Sequence, residues 1–139
     1  MTNIIDDPVF GKLEYKHSWT KSEIIKWHKQ DVKVNITAQA YKGDSVLKTQ
    51  RDLYLFFKNN KAKLLKMVIN AIRDYYQETL GQKSLTIDEI LSHLKPKTVL
   101  FERNKTWGIL FDTETDIENG LAAFFEGEKI SIGAQELFL

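Results

Sequence analysis

Carboxylates at alternate positions form the densest group of residues whose type and spacing could support chemistry. These residues are Asp112, Glu114, Asp116 and Glu118. Alternate acids of this kind also occur in calcium-binding loops. An EF-hand loop that started at Asp112 would need glycine at its sixth position and glutamate at its twelfth, where this chain has Ile117 and Ala123. We therefore expect no calcium site and interpret the segment as a solvated connection between two strands.

The other side chains that carry catalysis follow no known catalytic pattern. Histidines 17, 28 and 93 lie far apart and form no H-E-x-x-H or H-x-E motif. No serine stands in a G-x-S-x-G context, and the glycines form no phosphate-binding loop. The absence of cysteine excludes disulfides, cysteine-ligated zinc and thiol nucleophiles. We expect no catalytic residue, no metal and no cofactor; an enzyme whose site assembles only on folding is a third interpretation.

Charge is distributed unevenly along the chain, although the net charge is only +1. Residues 1–111 carry 19 basic and 12 acidic side chains, a net charge of +7, whereas residues 112–139 carry a net charge of −6. The run from Lys58 to Lys66 contains four lysines and no acid, a pattern that can contact phosphates. It also lacks arginine and interleaved aromatic residues, so we interpret it as a solvated helix face.

Length and composition are typical of one folded domain. The chain has 139 residues, of which 42% are hydrophobic and 28% charged, and no stretch resembles a linker. Its first residues lack the basic and apolar regions of a secretory signal, and no apolar run approaches the ~20 residues that cross a bilayer. We predict a single soluble domain over residues 1–139, in a reducing cytoplasm.

The N-terminal part predicts antiparallel strands. Segments 9–15 and 23–28 show short strand patterns, and residues 32–40 alternate cleanly between apolar and polar side chains. We interpret Gln30-Asp31 as the tight turn before the third of these strands. Turn residues follow directly after it.

Two helices are predicted next. Apolar residues, Ile72 among them, recur at helical spacing from about Thr49 to Leu80, with a break or kink expected at Asn59-Asn60. A shorter helix begins with the capping box Thr86-Ile-Asp-Glu89 and ends at Lys95-Pro96.

The period returns to two in the C-terminal part. The strand segments there are 99–102, 107–111, 120–125, 129–132 and 136–139. The order of elements predicts an α+β fold with antiparallel N-terminal strands, a long central helix plus a short helix, and a C-terminal antiparallel β-meander. We expect the helices to pack on one face of the sheet.

The C-terminal third also carries a recognisable block. It consists of Trp107-Gly-Ile-Leu-Phe-Asp112, then Asp116-Ile-Glu118-Asn-Gly120-Leu121, then Ile132-Gly133-Ala-Gln135. This block resembles the closing part of a family of small bacterial proteins of unknown function, in which an acid–Glu–His–Gly–Leu turn precedes the last strands. Here Asn119 stands where that family usually has histidine. Some members are similar to immunity proteins encoded beside secreted bacterial toxins, and the resemblance implies an association with such systems.

These observations favour a non-enzymatic protein-binding module over an enzyme. The more specific hypothesis is an immunity protein that neutralises a bacterial toxin by masking its active surface. We expect the partner, a basic toxin domain, to bind the acidic residues Asp112, Glu114, Asp116 and Glu118, because nuclease toxins hold phosphates with basic side chains. The alternative is a nucleic-acid-associated accessory protein that acts through the lysine-rich helix.

Overall fold

One eight-stranded sheet, whose strands lie in the order of the sequence, forms the body of the protein. The computed structural model describes residues 3–113 and 120–135. The strands are β1 (Ile4–Asp7), β2 (Gly11–Tyr15), β3 (Trp19–Trp27), β4 (Gln30–Ala38), β5 (Leu94–Phe101), β6 (Trp107–Thr113), β7 (Leu121–Glu126) and β8 (Lys129–Ala134). Between β4 and β5 lie α1 (Lys48–Asn59), α2 (Lys61–Asp74), a π-helical turn (Tyr75–Thr79) and α3 (Ile87–Ser92). The α+β fold class predicted from the order of elements is confirmed.

The central pair of strands departs from the antiparallel pattern. Neighbouring strands in the sheet are antiparallel except β4 and β5, which are parallel. The helices between them carry the chain back to the end of the sheet at which β4 began. A connection of that kind is what a parallel pair requires.

The N-terminal strands differ in detail from the sequence prediction. Strand β1 was not predicted, and β3 begins at Trp19 rather than at residue 23. The turn between β3 and β4 consists of His28 and Lys29, whereas the prediction placed it at Gln30-Asp31. The two turn residues have positive φ, a conformation for which histidine and lysine give no sequence signal.

The predicted helix features are largely confirmed. The long helical segment breaks at Asn60, which separates α1 from α2. The capping box at α3 forms as expected: the N–H of Glu89 donates to Thr86 Oγ1, and the N–H of Thr86 donates to Glu89 Oε1, both at 3.2 Å. Helix α3 ends at Ser92, however, and Pro96 lies inside β5.

The main core lies between the helices and one face of the sheet. Alternate residues of β4, from Val32 to Ala38, point to this core, as their spacing predicted. Val68 and Ile72 of α2 are completely buried in it, which confirms the predicted apolar stripe of the helix. The helices therefore pack on one face of the sheet, as expected.

Strands β5 to β8 form the C-terminal meander. The predicted final segment, residues 136–139, lies outside the described residues. In the part of the chain that the structure describes, no helix has the length and apolarity that crossing a membrane requires.

Candidate functional site

The two ends of the β4–β5 pair are built differently. At the carboxyl end, the fully buried Gln50 of α1 donates from Nε2 to the main-chain oxygens of Gln39 and Phe101, at 2.8 and 3.0 Å. Its Oε1 accepts from the N–H of Leu47 at 2.9 Å. Arg103 Nη1 also donates to the oxygen of Gln39, at 3.2 Å. Hydrogen bonds thus close this end and join the start of α1 to both strands.

At the amino end, the first residues of β4 and β5 belong to the sheet but do not pair with each other. Their pairing runs only from Asn35–Thr98 to Ala38–Phe101, so residues 30–34 and 94–97 do not pair with each other. Pro96 fits this separation because proline has no N–H for a ladder bond, and the register of β5 against β6 shifts beside it. We name the resulting opening the amino-end cleft.

The amino-end cleft has a volume of about 1020 Å³ and an apolar wall beneath a polar rim. The wall includes Trp27, Val32, Leu91 and Leu94. The rim includes His28, Lys95, Lys97 and Asp112. A cleft of this size with a few convergent polar groups is the usual form of a binding site. It is therefore the candidate functional site.

The tip of the β3–β4 hairpin holds one side of the cleft. His28 and Lys29 have φ angles of 47° and 67°, which are unfavourable for residues that carry a Cβ. His28 Nε2 lies 3.3 Å from Oδ1 of Asp88 on α3. This contact joins the strained hairpin tip to the helix on the other side of the cleft.

Trp27 leaves a hydrogen-bond donor without an acceptor in the wall of the cleft. Its side chain is only 4% exposed, and its ring packs against Phe111 with 5.0 Å between the ring centroids. The indole Nε1 is itself buried, and it forms no hydrogen bond with the described residues. A buried donor in this condition destabilises the folded state by about 1–3 kcal/mol. Such unpaired groups are rare in native proteins.

Asp112 is the one predicted partner-binding residue that the structure describes. It lies opposite Lys95 in the β5–β6 ladder, and its Oδ1 lies 4.0 Å from Nζ of Lys97. Both members of this ion pair are about 60% exposed, so the pair adds little to stability. The other predicted residues, Glu114, Asp116 and Glu118, lie outside the described residues.

The acidic residues of the next hairpin do not join Asp112. Strand β7 pairs antiparallel with β6, so that Leu121 lies beside Phe111 and Phe125 beside Trp107. The turn after Glu126 therefore lies at the opposite end of the sheet from Asp112, about 15–20 Å along the strands. A negative surface centred on Asp112 cannot include that turn.

Two of the three histidines meet at the amino-end cleft, although their positions in the sequence gave no sign of it. His28 and His93 both line it, whereas His17 lies in the turn between β2 and β3. Within residues 3–113 and 120–135, no three histidine or acidic side chains converge as a metal site would require. The residues that sequence reasoning missed here are Trp27 and His28, which only the strand register brings to the cleft.

Glycines of the C-terminal block permit close packing within the sheet. Gly108 lies so close beneath the ring of Phe124 that a Cβ at this position would be 2.8 Å from two ring atoms. Gly120, with a φ of 61°, leaves room for the amide of Gln135. That amide donates from Nε2 to the main-chain oxygen of Phe111 at 3.0 Å. These residues act in packing and in joining strands.

The same block lies inside a known family. A family model described as a domain of unknown function, DUF6985, matches residues 9–139. The chain belongs to the DUF6985 family. No curated protein and no solved structure matches the chain. The DUF6985 domain thus contains both the amino-end cleft and the glycines that shape its C-terminal strands.

A second polar feature of the DUF6985 domain lies beneath α1. Lys21 donates from Nζ to the hydroxyl of Tyr54 at 2.8 Å and to the main-chain oxygen of Phe10. The Tyr54 hydroxyl donates to Glu23 Oε2 at 2.9 Å. Burial, and then the bond to Glu23, raise the pKa of Tyr54 well above its ordinary value. Tyr54 therefore stays neutral, and the group joins α1 to β3 rather than supplying a base or nucleophile.

Lysines of the predicted basic run gather near this group. Lys58 and Lys61 lie with Nζ 5.9 Å from the ring centres of Tyr54 and Phe57, respectively. Burial lowers the pKa of Lys21, and the charges of Lys58 and Lys61 lower it further, although Glu23 opposes them. Phe56, just before the run, is 50% exposed. We name Lys58 and Lys61 the basic corner.

Proposed function

We propose that the DUF6985 domain is a non-enzymatic protein-binding module whose partner docks over the amino-end cleft. The observation that carries this proposal is the combination of an apolar wall, built on Trp27 and Leu94, with a charged rim at Lys97 and Asp112. Protein interfaces have this anatomy, with an apolar centre inside a polar edge.

The finer proposal is that the partner is a bacterial toxin and that the domain is its immunity protein. Two sequence features support it: the resemblance of the C-terminal block and the acids that follow Asp112. Acids that follow Asp112 in the sequence would steer a basic protein towards the domain. Nucleases are suitable partners because they hold phosphates with basic side chains. In this proposal, binding over the cleft masks the active surface of the toxin.

The decisive experiment uses the purified product of the neighbouring gene and measures its association with this domain across a range of salt concentrations. The double variant Glu114→Lys plus Asp116→Lys should fold normally and associate about tenfold or more slowly at low salt, because steering acts mainly on the on-rate. A second variant, Asp112→Lys, tests the rim of the cleft itself.

The matched control for Asp112→Lys is Glu126→Lys, which makes the same change of charge at the opposite end of the sheet. At about 0.1 M salt, where the Debye length is about 10 Å, it should leave the association rate within about twofold of wild type. Equal effects of the cleft and control variants would show that net charge alone controls binding. Unchanged binding by all of the variants would place the interface elsewhere.

A second candidate function is nucleic-acid association through the basic corner. The observation that favours it is that Lys58 and Lys61 gather near the end of α1, where the ring of Phe56 is 50% exposed, since single-stranded nucleic acids bind to basic surfaces with aromatic stacking platforms. Fluorescence anisotropy with a single-stranded oligonucleotide tests it. Phe56→Ala and Lys58→Gln should each weaken binding, and only the lysine variant should reduce its salt dependence. No binding at low salt would exclude this function.

A further inference from the structure

Strand β3 is paired along only part of one side, although it lies inside the order of the sheet. On one side it pairs with β4 from Trp19 to Trp27. On the other side β2 pairs with it only at Trp19 and Thr20. In the part of the chain that the structure describes, residues 21–27 therefore have a strand neighbour on one side alone. We name their unpaired side the β3 edge.

The register shows which main-chain groups face the β3 edge. Both turn residues of the β3–β4 hairpin have positive φ, as in a type I′ turn, so the flanking pair Trp27 and Gln30 exchanges main-chain hydrogen bonds. Such pairs alternate along an antiparallel ladder, so every second residue of β3, counted back from Trp27, bonds β4. The residues between them point their N–H and C=O groups to the opposite side. This alternation reaches Ser18, whose oxygen accepts on that side from the N–H of Lys16 at 2.9 Å.

Three residues of the β3 edge, Ser22, Ile24 and Lys26, hence present main-chain groups that no strand pairs. All three residues are exposed, and the side chain at their centre, Ile24, is 66% exposed. Among the described residues, no turn or loop bonds their main-chain groups either. A row of unpaired groups around an exposed apolar side chain is a template for another strand.

Basic side chains flank Ile24 on the exposed face of the sheet. Lys26 lies two residues along the same face, and Lys33 of β4 lies opposite Ile24. Asp31, opposite Lys26, offsets one of the two positive charges. An added strand is therefore favoured when it places an apolar side chain beside Ile24 and an acidic one beside Lys26.

We infer that the β3 edge receives an extended segment of another protein as an added strand, with an apolar residue between acidic ones on its exposed face. In recognition by strand addition, main-chain hydrogen bonds supply affinity and alternate side chains supply specificity. Ser22, Ile24 and Lys26 do not line the amino-end cleft. The inference therefore goes beyond the proposed docking site and does not depend on it.

A second copy of this chain fits the β3 edge less well than a short segment does. The two-fold antiparallel register that pairs all three residues is centred on Ile24. It would place His28 of one copy opposite Thr20 of the other, where Glu14 of β2 already pairs. A separate extended segment has no hairpin at that position and avoids this clash.

The first test uses the whole domain and a strand peptide, the blocked sequence Thr-Glu-Thr-Val-Thr-Glu-Thr, which reads the same in both directions. Nitrogen-15 NMR follows the main-chain amides during titration. We expect the signals of Ser22, Ile24 and Lys26 to shift saturably and their hydrogen exchange to slow. The amides of Glu23 and Ile25, which bond β4, should keep their exchange rates. No saturable change at the first three amides would overturn the inference, and so would equal changes at all of them.

Two methylated forms of the strand peptide show whether main-chain bonds carry the binding. One form has N-methyl groups on its glutamates and valine, and the other has them on its threonines. The N–H groups of alternate residues in a strand point to opposite edges, so one form should lose binding and the other should keep it within about threefold. Equal binding by both forms would overturn the inference. Signals of the β3 edge that change on dilution of the domain alone would show pairing with a second copy and would overturn the assignment to another protein.

Substitutions in the domain locate the peptide. Ile24→Pro removes an N–H that faces the β3 edge and not β4, so the fold should persist while binding is lost. Lys26→Glu, which tests the same site if the proline variant does not fold, should weaken binding about threefold to tenfold, and a peptide with lysine in place of glutamate should recover it. Lys129→Glu, on β8 at the far edge of the sheet, is the matched control and should change nothing. Full binding by a folded Ile24→Pro variant, or equal effects of the two lysine variants, would overturn the inference. Because the probe is a peptide and not the toxin-like partner, either proposal can fail while the other stands.

Discussion

Replacing Gln50 with leucine tests how the carboxyl end of the β4–β5 pair is closed. The side chain is completely buried and bonds three main-chain groups: the N–H of Leu47 and the oxygens of Gln39 and Phe101. Leucine has a similar volume, so Gln50→Leu removes these bonds without opening a large cavity. The variant therefore measures hydrogen bonding more than packing.

The expected loss of stability depends on which hydrogen bonds the three main-chain groups keep in the variant. The oxygen of Gln39 still accepts from Arg103, and that of Phe101 still accepts from the N–H of Gln39 at 2.9 Å. Each lost bond to these oxygens should then cost about 0.5–1.5 kcal/mol. The N–H of Leu47 loses its acceptor, at a cost of about 1–3 kcal/mol, although water can partly replace it because Leu47 is only half-buried. These ranges add up to about 2–6 kcal/mol, and because water reaches Leu47 we expect a loss of about 2–4 kcal/mol in the free energy of unfolding.

Urea denaturation followed by tryptophan fluorescence gives that free energy directly. The matched control is Gln77→Leu, because Gln77 makes only one long bond, from Nε2 to the oxygen of Leu85 at 3.4 Å. We expect the control to lose less than about 1 kcal/mol. A Gln50→Leu variant as stable as wild type would refute the idea that this side chain holds α1 to the two strands.

Three further substitutions address other parts of the fold. Tyr54→Phe removes the hydroxyl that lies between a lysine and a glutamate. In urea titration it should lower the free energy of unfolding by about 1–3 kcal/mol. No loss of stability would mean that water replaces the hydroxyl. Burial tends to raise the pKa of Asp7, but the bonds from Arg51 and two main-chain N–H groups outweigh it, so the pKa lies below 3.8. Asp7 therefore stabilises the fold above about pH 4 and loses this effect as the pH falls. Asp7→Asn should flatten the acid limb of a plot of Tm against pH. An unchanged limb would mean that other groups cause the loss of stability in acid. Ile72→Ala should cost about 2–5 kcal/mol through lost burial and a cavity, and an unaltered thermal melt would contradict the burial of this side chain.

Local patterns in the sequence predicted most of the elements because each depends on nearby residues. The alternation in β4, the break at Asn59-Asn60 and the capping box at Thr86 all appear in the structure. The parallel pairing of β4 with β5 was missed because side chains alternate in the same way along parallel and antiparallel strands. Pro96 suggested the end of a helix, whereas the structure places it where the register of β5 shifts.

The candidate site was harder to predict because it depends on strand order. Asp112 was predicted to bind a partner from its charge and spacing, and this role stays a prediction; the structure places the residue at the rim of the cleft. His28 was one of three histidines far apart in the sequence, and Trp27 belongs to no sequence pattern that predicts a site. Nothing local marks them as neighbours of Leu94, since 66 or more residues of sequence separate them. Only the return of the chain to the amino end of β4 brings these residues together.

The path of the chain explains why the cleft is at the amino end of the pair. Helix α1 starts where β4 ends, and Gln50 fixes it there to both strands. The connection must then return to the start of β5, so α3 arrives beside the β3–β4 hairpin, where His28 meets Asp88. Hydrogen bonds at the carboxyl end stabilise the parallel pair. The two strands can therefore separate at their amino end with little loss of core stability. Substitutions on the rim, such as Lys97→Gln, should therefore change binding while leaving the fold intact.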